Sequence, residues 1–129
     1  MTTVMIVEDE EFLQDLYREV LTREGHKVVA TALDGNSAVE SFRAMRDKPR
    51  LILMDHRMPV KNGMEAMQEI LEVDPSARVL FLTADFSIAK AAMLGGAAGY
   101  IAKPFGMEAL IDAVERVLEL QLGGAAQAT

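Results

Sequence analysis

The stretch Arg50–Val73 reads RLILMDHRMPVKNGMEAMQEILEV, and it joins a strand to a helix through an acidic turn. Residues 51–54 are apolar throughout, which is typical of a strand buried on both faces of a parallel sheet. Asn62-Gly63 predicts a turn, and MEAMQEILEV after it has the apolar spacing of a helix. Asp55 ends the apolar run, and a carboxylate in that position needs partners. The nature of those partners decides the function.

The strand and helix unit recurs along the whole chain. We predict strands at 2–7, 26–33, 50–54, 77–83 and 99–102, and helices at 10–25, 36–45, 64–73, 87–94 and 107–122. Alternation with short connections predicts right-handed crossovers and a parallel sheet covered on both faces. The predicted fold class is therefore α/β, a doubly wound (βα)5 five-stranded parallel sheet.

Composition bounds the classes of function. The chain has 129 residues, half of them hydrophobic, which favours one domain with a substantial core. It has no cysteine, no positively charged leader at 1–10 and only strand-sized apolar runs, so we expect a soluble, cytoplasmic protein without a membrane span. A net charge of −7, from 13 basic and 20 acidic residues, disfavours direct nucleic-acid binding. A cation or a basic protein surface is the expected partner.

Ligands of doubly wound sheets bind beyond the carboxyl ends of the strands. The five predicted strands bring these residues to that edge, in chain order: Glu8, Asp9 and Glu10; Asp34 and Gly35; Asp55, His56 and Arg57; Thr83, Ala84 and Asp85; Lys103 and Pro104. If the first and third strands are neighbours, their carboxylates converge. Each pair of acids a few ångströms apart then repels by about 1 kcal/mol in water and roughly 4 kcal/mol at an effective dielectric of 20.

A positive group is therefore expected among these acids. Carboxylate oxygens with retained waters suit Mg²⁺, and Lys103 supplies a second positive charge. A divalent ion beside a carboxylate and a hydroxyl is the equipment of phosphoryl transfer, with Asp55 as the nucleophile.

Four motifs carry a family resemblance: VEDEEF at 7–12, MDHRMPVKNG at 54–63, LTA at 82–84 and GYIAKPF at 99–105. Together they resemble the receiver domain of two-component response regulators, of the chemotaxis-regulator type, from about Thr3 to Leu120. The resemblance implies a flavodoxin-like sheet of strand order 2-1-3-4-5. It also implies a receiver domain at 1–122, followed by a disordered tail or linker remnant at 123–129. Such a domain is a signalling phosphoacceptor in a phosphorelay, not an enzyme that turns over a substrate.

The resemblance also implies roles for the acidic residues. Asp55 matches the phosphoacceptor, which takes its phosphoryl group from a phosphohistidine of a sensor kinase or phosphotransfer protein. Asp9 matches the acid that binds Mg²⁺ directly, and Glu8 matches its neighbour, which acts through water. Asp55 and the backbone carbonyl of Arg57 match the remaining protein ligands of the metal.

Further roles fall on the fourth and fifth strands. Thr83 matches the hydroxyl that turns toward the phosphoryl group, and small Ala84 leaves room for the phosphoryl oxygens. Lys103 matches the phosphate-contacting lysine, and Pro104 implies a cis peptide bond. Tyr100 matches the aromatic switch that moves with Thr83 and alters a surface read by a downstream output protein.

Three features depart from the family pattern. Glu8 stands where aspartate is commoner, and its extra methylene displaces the outer carboxylate. Arg57 and Asp85 flank the phosphoryl position, and we hypothesise that they form an ion pair that shields it from water. The segment 83–103 is slightly shorter than usual, which implies a trimmed fourth helix region.

Structural roles compete with these functional ones. Asp9 or Glu10 alone is typical of a helix N-cap. The methionines favour core gap filling, as we expect of Met54, Met67 and Met93. His56 is typical of an exposed loop residue, and the Tyr100 ring could pack inward without any switching. Taken together, the groups at one sheet edge favour the functional site.

Two other functions share parts of this pattern. A Mg²⁺-dependent phosphatase with an aspartyl nucleophile usually needs a second acid two residues after it, where this chain has Arg57. A flavin-binding module needs a Ser/Thr-rich loop after the first strand and flanking aromatic residues. This chain has VEDEEF there and no tryptophan.

Overall fold

The computed structural model describes the backbone of residues 2–128 and the side chains of residues 2–119. The strands are β1 Thr3–Val7, β2 Lys27–Ala32, β3 Leu51–Asp55, β4 Arg78–Thr83 and β5 Gly99–Ala102. The helices are α1 Glu11–Arg23, α2 Gly35–Ala44, α3 Gly63–Val73, α4 Phe86–Leu94 and α5 Met107–Ala128. The predicted tail at 123–129 and its boundary at 122 fall outside the described side chains and stay a prediction.

The strands form one parallel sheet in the order β2-β1-β3-β4-β5. This confirms the predicted doubly wound (βα)5 topology. In the register, Val7 pairs with Met54, and Asp55 pairs with Leu82. The carboxyl ends of β1, β3 and β4 therefore lie side by side, which brings their terminal residues to one edge.

Two apolar cores cover the two faces of the sheet, and alternate residues of each strand enter alternate cores. Met5, Ile52, Met54, Val79 and Phe81 pack with residues of α2, α3 and α4. Val4, Ile6, Leu51, Leu53, Leu80 and Leu82 pack with residues of α1 and α5. Met54 and Met67 are fully buried, as predicted for gap filling. The same prediction is wrong for Met93, which is 42% exposed near the end of α4.

The helix starts show which polar residues have structural roles. Asn62 caps α3 in a reciprocal capping box with Glu65, which also fixes the turn predicted at Asn62-Gly63. Asp34 caps α2 by accepting a hydrogen bond from the Ser37 amide at 2.7 Å. The N-cap of α1 is Glu10, and its side chain makes no capping bond. The capping interpretation of Asp9 and Glu10 is therefore wrong, and their carboxylates do not serve the helix in this way.

The loop between β3 and α3 is tightly held. Val60 has a φ of 70°, and the Lys61 amide donates to the Pro59 carbonyl across it at 2.7 Å. The Gly35 amide donates to the Lys61 carbonyl at 3.2 Å, and a Cβ at Gly35 would overlap that oxygen. The start of α2 thus holds the loop that follows Asp55 through this contact of Gly35 with Lys61, which we call the clamp.

No helix in the described part of the chain combines the length and apolar composition needed to cross a bilayer.

Candidate functional site

A cavity of about 670 Å³ opens at the carboxyl edge of the sheet. It is lined by residues that follow β1, β3, β4 and β5: Glu8, Asp9, Glu10, Asp55, His56, Arg57, Leu82, Thr83, Ala84, Asp85, Phe86 and Lys103. Every predicted site residue except Tyr100 lies on this cavity. The topology thus gathers groups from four strand ends into one polar depression.

Asp55 is the last residue of β3 and is only 4% exposed. Its Oδ1 atom accepts a hydrogen bond from Lys103 Nζ at 2.5 Å. Burial raises the pKa of Asp55, while the hydrogen bond and charge of Lys103 oppose that rise. Burial alone would lower the pKa of Lys103, but the hydrogen bond and charge of Asp55 raise it above its ordinary value. Lys103 is therefore cationic and compensates the Asp55 carboxylate.

Glu8 is the most enclosed acid of the site, at 1% exposure. Its Oε2 atom accepts from the Glu10 amide at 3.2 Å. Its Oε1 atom lies 3.7 Å from Lys103 Nζ, beyond hydrogen-bonding distance, and has no hydrogen-bond partner among the described residues. Burial, followed by the negative charge of Asp55, raises the pKa of Glu8 to about 7. Among the described residues, Lys103 is the positive group that lies near this carboxylate.

The acids fit a divalent cation. One carboxylate oxygen from each of Glu8, Asp9 and Asp55 lies within 4.8 Å of the others. Glu8 and Asp55 are buried and Asp9 is exposed, so the cluster has an inner and an outer side. Hard carboxylate oxygens suit Mg²⁺, and one of these is buried without a hydrogen-bond partner in the part of the chain that the structure describes. Arg57 is exposed on the same cavity.

Thr83 and Lys103 form the opposite wall. The Thr83 side chain is buried, and its Oγ1 atom accepts from the Asp85 amide at 3.1 Å. The Lys103 amide donates to the Thr83 carbonyl at 2.9 Å, which joins the ends of β4 and β5. Ala84 is exposed at the cavity surface. The peptide bond between Lys103 and Pro104 is cis, as the resemblance implied.

Two side-chain predictions fail at the rim. Arg57 and Asp85 form no ion pair in the described structure, because Asp85 Oδ1 caps α4 and accepts from the amide and hydroxyl of Ser87 at 2.9 and 2.6 Å. The hydroxyl and amide of Ser87 therefore lower the pKa of Asp85. His56 is half-buried instead of exposed, and its ring centroid lies 5.9 Å from that of Phe81.

Tyr100 lies on β5 and outside the cavity lining. Its side chain is 41% exposed, so the ring is not enclosed in the core. The inward-packing interpretation is therefore wrong in this conformation.

Sequence reasoning missed two residues of the site. Gln14 is buried on α1, and its Nε2 donates to the carbonyls of Glu8 at 3.0 Å and Ala32 at 2.7 Å. Its spacing of three and seven from buried Tyr17 and Leu21 marks it as a polar residue on the buried stripe. Phe86 lines the cavity three residues after Thr83, and its position at a strand end was the available signal.

Comparison with known proteins agrees with this geometry. The family model described as the response regulator receiver domain matches residues 4–115. The chain is 38% identical over 120 residues to Protein CcdB of Bacillus subtilis, covering 92% of this chain and 98% of that protein. It is 36% identical over 118 residues to chemotaxis protein CheY of Treponema pallidum, covering 90% and 82% of the two chains.

Solved structures give the same result. The CheX-CheY-BeF3-Mg²⁺ complex from Borrelia burgdorferi matches with a TM-score of 0.86 and 28% identity, over 91% of this chain and 89% of that chain. A two-component response regulator of the LuxR family from Aurantimonas matches with a TM-score of 0.84 and 31% identity, over 92% and 86%. With the family model spanning most of its length, the chain belongs to the response regulator receiver domains and has their phosphoacceptor signalling function.

Proposed function

We propose that Asp55 is the phosphoacceptor of this domain and receives its phosphoryl group from a phosphohistidine on a sensor histidine kinase or phosphotransfer protein. The observation that carries the proposal is the buried Asp55 carboxylate, bonded to Lys103 at 2.5 Å and clustered with Glu8 and Asp9 in a cavity open to solvent. An acid held in this way has a neighbouring cation and room for a phosphoryl group.

Mg²⁺ is the proposed cofactor, held by Glu8, Asp9, Asp55 and the backbone carbonyl of Arg57. When bound, the ion neutralises charge on the phosphoryl oxygens. The orphaned Glu8 oxygen supports this assignment, because a second positive charge would relieve its burial. Glu8 has a longer side chain than the aspartate that is commoner at this position. The contact of Glu8 with the Glu10 amide fixes where the carboxylate lies.

The chemical step is a displacement at phosphorus. An Asp55 oxygen forms the new P–O bond while the P–N bond of the phosphohistidine breaks, and the electron pair remains on the imidazole nitrogen. Lys103, cationic beside Asp55, then pairs with a phosphoryl oxygen. Small Ala84 at the cavity surface leaves room for the phosphoryl oxygens. The same residues allow self-phosphorylation from small phosphodonors and slow hydrolysis of the product.

The signal leaves through β4 and β5. Phosphorylation replaces the single negative charge of the Asp55 carboxylate with a phosphoryl group that carries about −1.5 to −2 charges and presents strong acceptor oxygens near Thr83. A Thr83 hydroxyl that turns toward them gives up its present contact with the Asp85 amide at the start of α4. That change biases the start of α4 and, with Tyr100 on neighbouring β5, the surface offered to a downstream output protein. We place this relay in the cytoplasm, with no direct nucleic-acid contact.

Labelling with a small phosphodonor tests the assignment of Asp55. Wild-type protein is incubated with acetyl phosphate and Mg²⁺, and intact mass and peptide mapping locate the adduct. We expect one phosphoryl group on the wild type and none on Asp55→Ala, while exposed Asp112→Ala labels as the wild type does. Asp9→Asn should label slowly and with a weakened dependence on Mg²⁺. Equal labelling of Asp55→Ala and wild type would reject the proposal.

The phosphatase interpretation remains the competing chemistry. Arg57 holds the position where such enzymes need a second acid, and it is exposed. We therefore expect no sustained turnover of a generic phosphomonoester, and multiple turnovers in a steady-state assay would favour the phosphatase. A flavin module would be coloured on purification, and we expect a colourless protein.

A further inference from the structure

Phe86 is an unusual residue for the position that it occupies. Most of the cavity lining is polar or charged, and its apolar members are Leu82, Ala84 and Phe86. Leu82 is fully buried in the sheet and Ala84 is small. Phe86 is 71% exposed, so among the cavity-lining residues it is the large apolar side chain open to solvent. A phenyl ring left in water forgoes the stabilisation of burial.

The backbone on both sides of Phe86 is fixed. Asp85, directly before it, caps α4 and accepts hydrogen bonds from the Ser87 amide at 2.9 Å, the Ser87 hydroxyl at 2.6 Å and the Ile88 amide at 3.4 Å. Thr83 Oγ1 accepts from the Asp85 amide at 3.1 Å, which ties this turn to the wall of the site. Before phosphorylation, the ring is therefore presented from a helix start that is held by these hydrogen bonds. A capped helix does not require an aromatic residue at this point.

The geometry of phosphoryl transfer defines what lies at the cavity opening. The leaving group must lie across the phosphorus atom from the attacking Asp55 oxygen. Asp55 is at the floor of the cavity, at the end of β3, so the leaving group lies toward solvent. A phosphohistidine or phosphoimidazole donor places a flat aromatic ring there, toward the solvent to which Phe86, also a lining residue of this cavity, is 71% exposed.

We propose that Phe86 is a donor-specificity residue, whose ring packs against the imidazole ring of the phosphodonor and favours phosphoimidazole over donors without a ring. The proposal rests on the function proposed above for Asp55. In the transfer, the P–N bond breaks as the P–O bond to Asp55 forms. A donor protonated on its second ring nitrogen leaves as neutral imidazole. Phe86 takes no part in the bond changes and orients only the leaving ring.

The size of the effect follows from the strength of aromatic pairs. Loss of an aromatic pair that forms at the transition state is expected to lower the rate of phosphoryl transfer about two- to tenfold. The donor comparison isolates this contribution. Monophosphoimidazole and phosphoramidate both transfer through a P–N bond, but only the first carries a ring.

The experiment measures the rate of Asp55 labelling by both donors in the presence of Mg²⁺ and compares their ratio. Replacement of Phe86 by Ala or Leu is expected to lower the monophosphoimidazole to phosphoramidate ratio about two- to tenfold. Phe86→Tyr keeps a ring and is expected to restore the ratio. Phe12→Ala is the matched control, because Phe12 is 74% exposed near the start of α1 but does not line the cavity.

The outcomes separate this proposal from the function on which it rests. An unchanged ratio in both Phe86→Ala and Phe86→Leu overturns the proposal, as does an equal fall in Phe12→Ala. A lower ratio in Phe86→Tyr, equal to that of Phe86→Ala, also overturns it. If wild-type Asp55 is labelled by neither donor, the function proposed for Asp55 fails instead.

Discussion

Glu8 is the residue at which the needs of folding and of the site conflict most directly. Its side chain is buried at the end of β1, with one oxygen lacking a hydrogen-bond partner among the described residues. Burial and the charge of Asp55 raise its pKa to about 7. An acid that folding alone selected would be expected to have its partners in place. The proposed Mg²⁺ would supply the positive partner that this oxygen lacks among the described residues.

Glu8→Gln is therefore expected to raise the free energy of unfolding in the absence of Mg²⁺. At pH 8 the Glu8 carboxylate is ionised at a cost, because its folded pKa of about 7 is above its ordinary value of 4.5. The neutral amide removes that cost, and we expect the free energy of unfolding to rise by roughly 1 kcal/mol. Urea unfolding at pH 8 with and without MgCl₂ measures it, and stabilisation by MgCl₂ should shrink in the variant. Exposed Glu11→Gln is the control, and a less stable Glu8→Gln contradicts the prediction.

Val60 is a second residue with a locally unfavourable conformation. A φ of 70° is unfavourable for a β-branched residue, and the side chain is 84% exposed, so packing recovers little of that cost. Left-handed backbone costs roughly 1–2 kcal/mol for such a residue, against roughly 0.5–1 kcal/mol for the extra chain entropy of glycine. We therefore expect Val60→Gly to stabilise the fold by about 0.5–1 kcal/mol in urea melts. Val73→Gly, at the last residue of α3 and without a positive φ, should not stabilise the fold. A less stable Val60→Gly would show that the backbone is not strained.

At the scale of elements, periodicity predicted all five strands and five helices. Their ends differ from the observed ones by at most two residues, except that α5 runs to Ala128 whereas the predicted helix ends at 122. The contacts and burial of individual side chains were harder to predict from the sequence. The expected pair of Arg57 with Asp85 fails because the amide and hydroxyl of Ser87 lie two residues away and hold the Asp85 carboxylate. A local hydrogen bond requires less ordering than a distant ion pair on the surface. Met93 likewise shows that an apolar residue near a helix end does not always pack in the core.

The contact between α2 and the loop after β3 gives a prediction for two glycines. A Cβ at Gly35 would overlap the backbone carbonyl of Lys61, whereas a Cβ at Gly106 meets nothing within 4 Å. Backbone atoms cannot move aside as a flexible side chain does, so Gly35→Ala should destabilise the fold by about 1–3 kcal/mol. Gly106→Ala should change it by less than about 0.5 kcal/mol. Thermal or urea unfolding of both variants measures the difference, and equal stabilities would show that the clamp is loose.

That clamp also links stability to the site. The loop held by Gly35 carries Arg57, whose carbonyl is among the proposed metal ligands. Gly35→Ala should therefore weaken the dependence of Asp55 labelling on Mg²⁺ as well as the fold, while Gly106→Ala leaves both unchanged. Labelling as a function of MgCl₂ concentration is the measurement. An unaltered Mg²⁺ dependence in Gly35→Ala would separate the clamp from the site.

At the scale of the whole molecule, topology explains why the site was predictable. Parallel strands in the order β2-β1-β3-β4-β5 bring their carboxyl ends to one edge, so the sequence position of each acid predicts its neighbourhood. The depth of each group was not predictable from order alone. Glu8 and Asp55 are buried beside exposed Asp9. Gln14 of α1 donates to the carbonyls of Glu8 and Ala32 and so holds α1 against the ends of β1 and β2.

The opposite edge of the sheet carries a titrating group of its own. His26 lies just before β2, where its amide donates to the Leu21 carbonyl at 3.0 Å and its ring Nδ1 is buried without a partner among the described residues. Burial lowers the pKa of His26. Glu24 and Glu115 on α5 oppose that fall. The neutral ring is therefore the form that suits the fold.

His26→Gln should remove one source of acid sensitivity from the molecule. An unfolded histidine gains a proton near pH 6.5, whereas folded His26 resists it, so the unfolded state binds more protons as the pH falls below about 6.5. Stability contributed by the neutral ring is complete above that pH and is lost as the pH falls toward the lower folded pKa. Urea unfolding of both proteins at pH 7.5 and pH 5.5 without Mg²⁺ should show a smaller loss in the variant. The carboxylates of the distant site titrate in both proteins and cancel in the comparison, so equal losses would mean that His26 is protonated as readily in the folded chain as in the unfolded one.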